Sequence, residues 1–307
     1  MKTQIETLLY SLRGTICAGT LLLIACGASA QNMFVGSYGS ESIVEIPTSG
    51  PQSTFASGLD YPNALAFNSA GNLLEVDQAS GTIYEFTPGG TRSTFATGLS
   101  NPTAIAINSG GNIFVASAAN NNILEYGPGG GTPTIFASGQ SLPLSLAFNS
   151  AGDLFVGNGA GFVAGNGYIT EITPGGTQST FASGLNGPDG LAFNAAGNLF
   201  VSEGNGGATI LKFTPGGAQS TYATGLNQPV GLAFNRAGDL FVADAGADTE
   251  NGDITEFAPN GTESVFSTSI SKPLSIAFQG EALPVPEPSV IAIAGIGIVA
   301  FLTRRRK

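Results

Sequence analysis

Residues 53–92 read STFASGLDYPNALAFNSAGNLLEVDQASGTIYEFTPGGTR, and near-copies of this stretch run on to about Phe278. A fragment of it precedes position 53. Aligning the aromatic of its opening Thr-Phe pair gives Phe55, Phe95, Phe136, Phe181, Tyr222 and Phe266, at spacings of 40, 41, 45, 41 and 44 residues. A recurrence of this length marks a chain built from one small structural unit used over and over.

Four short apolar runs make up each copy. The first follows a proline, at Pro62, Pro102, Pro143, Pro188, Pro229 and Pro273. The second is aligned on Val35, Val76, Val115, Val156, Val201 and Val242, and the third opens at Ile43, Ile83, Ile123, Ile169, Ile210 and Ile254. The Thr-Phe run is the fourth. Runs this short, bounded by Gly, Pro, Asn and Ser, are strands. Gly71 supplies the positive φ for the turn between the first two, and Thr87-Pro-Gly-Gly90 reads as a type II turn between the last two. Four antiparallel strands in a unit of this length form the blade of a β-propeller. The N-terminal fragment, Met33–Val35 and Ile43–Ile46, lacks a first strand, and the C-terminal fragment, Pro273–Phe278, is a first strand with nothing after it. Only a ring uses both, so the expectation is an all-β, six-bladed propeller over 31–283 in which the last strand completes the blade the N-terminus began.

The flanks give an address. Residues 1–30 carry Lys2 and Arg13, an apolar run from about Thr15 to Ala25, and Ala28-Ser-Ala30, the pattern of a signal that signal peptidase removes before Gln31. Leu23-Ile-Ala-Cys26 also resembles a lipobox, which would lipidate Cys26 instead. Both cysteines, Cys17 and Cys26, lie in this segment, so the propeller must be held by packing without disulfides. At the other end, residues 284–307 run from Pro286-Glu287-Pro288 through fifteen uncharged residues, Ser289 to Thr303, to Arg304-Arg-Arg-Lys307. As a helix the uncharged run spans about 22 Å, short of the ~30 Å bilayer core unless the arginines snorkel. The order of these parts resembles the PEP-CTERM sorting signal of Gram-negative bacteria, and a plain membrane anchor is the alternative. The resemblance implies export across the cytoplasmic membrane, a transient membrane-anchored stage and processing by an exosortase. It also implies release at the cell surface of an organism that makes extracellular polysaccharide.

Composition removes several functions. Nineteen of the 21 acidic residues but only four of the ten basic ones lie in 31–283, a balance of −15. A field of that sign repels phosphate backbones and argues against nucleic acid as a partner. The sequence has no histidine, which excludes Ser-His-Asp and Cys-His catalysis and His-ligated zinc.

A residue present in every copy is explained by the blade, and a function belongs to the departures. Ala66, Ala106, Ala147, Ala192, Ala233 and Ala277 share one slot, suited to large side chains of one blade packing on small ones of the next. Glu45, Glu85, Glu125, Glu171 and Glu256 share another, with Lys212 in the remaining copy, and read as a solvated edge feature. After each proline, in contrast, stand Asn63, Thr103, Leu144, Asp189, Val230 and Leu274, and Asn63 and Asp189 are expected opposite each other at the channel mouth. The second-to-third-strand loops are long after Val156 and Val242, and the latter carries Asp244, Asp248, Glu250 and Asp253. With Asp189 and Glu203 of the neighbouring copy this makes a carboxylate set that suits Ca²⁺ or Mg²⁺; a merely solubilising acidic loop is the alternative.

Pro188-Asp-Gly-Leu-Ala-Phe-Asn194 followed by Ala196-Gly-Asn-Leu-Phe-Val201 resembles NHL-repeat and gluconolactonase-like propellers. That resemblance implies a divalent cation held in the channel by Glu, Asn and Asp for lactone hydrolysis. Asp189 matches its Asp, Asn63 stands in a plausible register, and no Glu fills the remaining place. The reading is therefore a non-catalytic exported propeller binding glycans or other matrix components, with a metal-dependent, gluconolactonase-like hydrolase as the alternative.

Overall fold

The computed structural model describes residues 31–204, 207–246 and 252–280. The expected signal segment, and the tail with its apolar helix, lie outside these residues. Within them the chain forms six four-stranded antiparallel sheets arranged as the blades of a propeller. Blade 1 takes Pro273–Phe278 as its innermost strand, followed outward by Met33–Ser37, Ser42–Ile46 and Ser53–Ser57. The ring thus closes as expected, with Met33 paired to Phe278 and Val35 to Ile276. Blade 2 is Pro62–Phe67, Leu73–Asp77, Thr82–Phe86 and Arg92–Ala96, and blades 3 to 6 begin at Pro102, Pro143, Pro188 and Pro229.

The turns follow from local chemistry. Gly71 adopts φ +80° as expected, and the Asn68 side chain accepts hydrogen bonds from the backbone N–H of Ala70 and Asn72. The Thr87–Gly90 turn differs from the type II expectation. Gly90 carries the positive φ (+79°) and its N–H donates to the Thr87 carbonyl. Pro88 and Gly89 therefore make a type I turn, and Gly90 is the left-handed third residue of a bulged hairpin loop, whose twist suits antiparallel strands.

Adjacent blades meet through aromatic rings. Phe34 of blade 1 stands edge-on to Phe55 of its own outer strand at 5.0 Å and to Phe67 of blade 2 at 5.2 Å. The same trio recurs around Phe114, Phe155, Phe200 and Phe241. Each buries a large apolar area with edge-to-face geometry, worth about 0.5–1.5 kcal/mol per pair beyond burial. Only between blades 2 and 3 do Leu74 and Ile107 stand in for the rings, beside Phe95.

Pairing corrects the alignment of the second strand. Val35, Val115, Val156, Val201 and Val242 each occupy its third position and are fully buried. In blade 2 that position belongs to Glu75, and Val76 takes the next one, where the other blades have Gly, Ala or Ser. Glu75 is 0 % exposed, sits between Leu65 and Tyr84 on the neighbouring strands, and neither carboxyl oxygen has a hydrogen-bond partner. By register it fills the seam toward blade 1, where Phe34, Ile43, Leu65 and Leu73 cluster. Burial, reinforced by Asp77 and only partly opposed by Arg92, pushes this carboxyl up to about 9.

The repeated glutamate also differs from its expectation, because it is bonded to the turn beneath it. The Nδ2 groups of Asn32, Asn72 and Asn112 donate to Glu45, Glu85 and Glu125 at 2.8 Å. Blades 4 and 6 carry Asp153 and Asp239 in place of that asparagine. There Asn149 and Asn235 donate to the aspartates instead. Burial and then the nearby aspartate push Glu171 and Glu256 upward.

Two stability measurements follow. Glu75 keeps its proton in the folded state up to pH ~9 but loses it near 4.5 when unfolded, so the folded state holds the extra proton across that window. Stability should fall as pH rises from about 5 to 9 and level off above, with a loss of about 3 kcal/mol by pH 7 from this group. Glu75→Val should raise Tm at pH 7 and remove that component of the slope, and an unchanged slope would refute a buried, protonated Glu75. Separately, Asp153→Asn should restore the amide–glutamate bond to Glu171 and stabilise the fold by about 0.5–1 kcal/mol, seen as a higher midpoint in urea; a lower midpoint would count against it.

Candidate functional site at the channel mouth

Each innermost strand begins with the same three-residue device. The residue before the proline is left-handed, with φ of 71° at Tyr61, 51° at Asn101, 55° at Leu142, 64° at Gly187, 66° at Gln228 and 47° at Lys272. The proline follows, and the pairing with the second strand then slips at the next residue. A bulge of this kind bends the strand and re-aims a side chain. The residues at the slip are Asn63, Thr103, Leu144, Asp189, Val230 and Leu274, and together they line one small cavity of about 130 Å³ at the axis. The expectation that Asn63 and Asp189 face one another follows from the ring order, since blades 2 and 5 lie across the axis.

The six side chains differ in what they offer. Leu144, Val230 and Leu274 are apolar, and the Thr103 hydroxyl is spent on the Pro143 carbonyl at 2.7 Å. Asn63 and Asp189 remain. Among the described residues Asp189 makes no hydrogen bond or ion pair, and its carboxylate packs so close to Gly204 that a Cβ there would lie 2.1 Å from Oδ2. Desolvation alone pushes Asp189 up to about 7. Tyr61 and Tyr38 form a tilted ring pair on the same lip, with centroids 4.2 Å apart. The Tyr61 hydroxyl is pushed up by burial, then by Tyr38 and by Asp189, which places it within electrostatic reach of that carboxylate.

The remaining acidic residues of the expected cation set occupy other places. Glu203 and Asp244 stand at the last position of the second strand, which in the six blades holds Ser37, Asp77, Ser117, Asn158, Glu203 and Asp244. That position pins the loop leading to the blade's own first strand. The N–H groups of Asp60, Ser141, Asn186 and Asn227 donate to Asp77, Asn158, Glu203 and Asp244, at 2.7–2.9 Å. Glu203 Oε2 also accepts from Thr209 at 2.8 Å. Asp253 faces Asp244 across the strand pair, and Asp244 is pushed up by burial despite the bond from Asn227, with Asp253 and Glu263 adding to the rise. Asp248 and Glu250 lie outside the described residues. Among the described residues no group of three acidic side chains converges on a point. Asn63 and Asp189 supply two of the ligands a Ca²⁺ or Mg²⁺ would need, and both ions take about six or more oxygens. The described residues do not by themselves complete such a site.

Comparison with known proteins bears on the fold and the address. No curated protein matches the chain. A chain of the nidogen/laminin complex superposes with a TM-score of 0.70 at 16 % identity, covering 82 % of this chain and 99 % of that one. Virginiamycin B lyase from Staphylococcus aureus gives 0.61 at 19 %, covering 82 % and 87 %. A gluconolactonase from Xanthomonas campestris gives 0.62 at 15 %, covering 69 % and 79 %. These similarities establish the propeller and, across such different proteins, nothing of activity. Residues 284–307 match the PEP-CTERM protein-sorting motif. The chain is therefore an exported propeller carrying a sorting signal of the kind that exosortase processes during a membrane-anchored stage.

Proposed function

We propose that this protein is a non-catalytic binding protein of the cell surface or extracellular matrix of a Gram-negative bacterium, and that its channel mouth engages glycans or other matrix components. The observation that carries the reading is the make-up of the bulge ring. It holds one carboxylate and one free amide among apolar neighbours, beside a pair of tyrosines. Such a surface offers apolar faces and a few directed polar groups to a ligand. Hydrolysis would require an activated water, and two ring side chains with no histidine in the sequence give a weak basis for one. The sorting motif supports delivery to where extracellular polysaccharide accumulates.

The hydrolase reading keeps one specific support, the placement of Asp189 opposite Asn63 with its affinity for protons raised to about 7. In that reading Asn63 and Asp189 would hold Ca²⁺ or Mg²⁺, which would supply a Lewis acid for water or carbonyl activation. The two readings separate in one experiment on the exported protein. Binding predicts retention on the host's extracellular polysaccharide, weakened in Asp189→Ala, with lactone hydrolysis at background whether or not millimolar Ca²⁺ or Mg²⁺ is added. Divalent-dependent lactone hydrolysis that disappears in Asp189→Ala would overturn it.

A further inference from the structure

The unpaired state of Asp189 narrows what the mouth can take. Asp189 is part-buried in a largely apolar ring, and a carboxylate so placed with no partner among the described residues gains from a cation brought by a ligand. The four bases of the propeller do not supply it. Arg92 lies over the Tyr84 ring at 5.0 Å and Lys212 over the Phe200 ring at 5.7 Å. Arg236 bonds the Gly280 carbonyl at the far end of the ring. Lys272 is on the lip, yet no ion pair joins it to Asp189 among the described residues. The lip adds the faces of Tyr38 and Tyr61, whose ring quadrupoles attract positive charge. The cavity, about 130 Å³, is well below the ~300 Å³ at which sites for whole small ligands begin. It admits the tip of a ligand only. The propeller's net charge of −15 over 31–283 favours a cationic approach from any direction.

We infer that the mouth recognises an amino sugar with a free ammonium group, its nitrogen directed at Asp189 between Asn63 and the Tyr38–Tyr61 pair, within a longer glycan lying across the face. This inference rests on the glycan-binding reading above and adds the charge requirement. The bulge explains why Asp189 can serve. It places the side chain in the lining of the mouth, and Gly204, which has no Cβ, leaves room for the carboxylate beside the Pro229 carbonyl of the next blade.

The test compares two oligosaccharides that differ only at nitrogen. The glucosamine trimer and the N-acetylglucosamine trimer are titrated calorimetrically into the exported protein at pH 7, where a substantial share of the free amines is protonated. The free-amine trimer should bind at least tenfold more tightly. Asp189→Asn, isosteric and confirmed folded by its melt, should erase the difference, and Tyr61→Ala should reduce the affinity severalfold while Tyr61→Phe retains most of it. Equal affinity for the two trimers, or no binding of the free amine by the wild type, would overturn the inference. Retention on neutral polysaccharide in the same preparation would show that the glycan-binding reading survives that failure; divalent-dependent lactone hydrolysis would show that both have fallen.

Discussion

The ring stands on one contact made again and again, the edge of a second-strand phenylalanine against the inner-strand phenylalanine of the next blade. No disulfide assists it, since both cysteines precede the propeller in sequence. Each seam must therefore be dry and well packed, and the fully buried valines at the third position of the second strand serve that need. Glu75 breaks the pattern in the seam between blades 1 and 2, next to the blade that closes the circle. The same seam contains Ser275, whose buried Oγ also lacks a partner. The closing blade thus borders a seam that holds an unpartnered carboxyl and an unpartnered hydroxyl.

Much of the architecture was legible because the repeat compares the chain with itself. Spacing gave the blades, and the unmatched fragments at either end gave the closure, which Met33 and Phe278 complete. The bulge ring was legible too, because the residue after each proline varies in type while its surroundings do not. Two features were hidden by aligning on identity instead of on chemistry. In Leu-Leu-Glu-Val the valine drew the alignment one residue too far and concealed Glu75 in a core position. Ser37, Asp77, Ser117, Asn158, Glu203 and Asp244 look like departures by name, yet each presents a side-chain oxygen at the same place. Four of them accept the backbone N–H of the loop before their blade. Ser37 and Ser117 donate instead to the carbonyls of Ser271 and Ser100 in the same loops, so all six belong to the scaffold, and the signal was the side-chain oxygen common to them.

The sixfold device at the start of each inner strand separates what the blade needs from what the protein does. Left-handed backbone at five non-glycine residues is a cost of order 1 kcal/mol or more at each. Because the left-handed conformation recurs in every blade, with glycine in blade 5, it belongs to the geometry of entering the axis and is no pointer to a single site. Its product is specific nonetheless. The slip in register presents six side chains to one small volume, and residues of different size and polarity occupy it from blade to blade. Leu144, Val230 and Leu274 make that volume apolar, and Asp189 then acquires its raised proton affinity from desolvation alone.

The closing blade also fixes which way the protein faces. The innermost strand of blade 1 runs from Pro273 at the mouth to Phe278 at the opposite end of the axis, and Asn32 accepts a bond from Gln279 there. The chain consequently enters and leaves the propeller on the side away from the mouth. Gly280, beyond which the sequence continues into the sorting motif, therefore lies on the rear face, and the channel mouth lies at the other end of the axis.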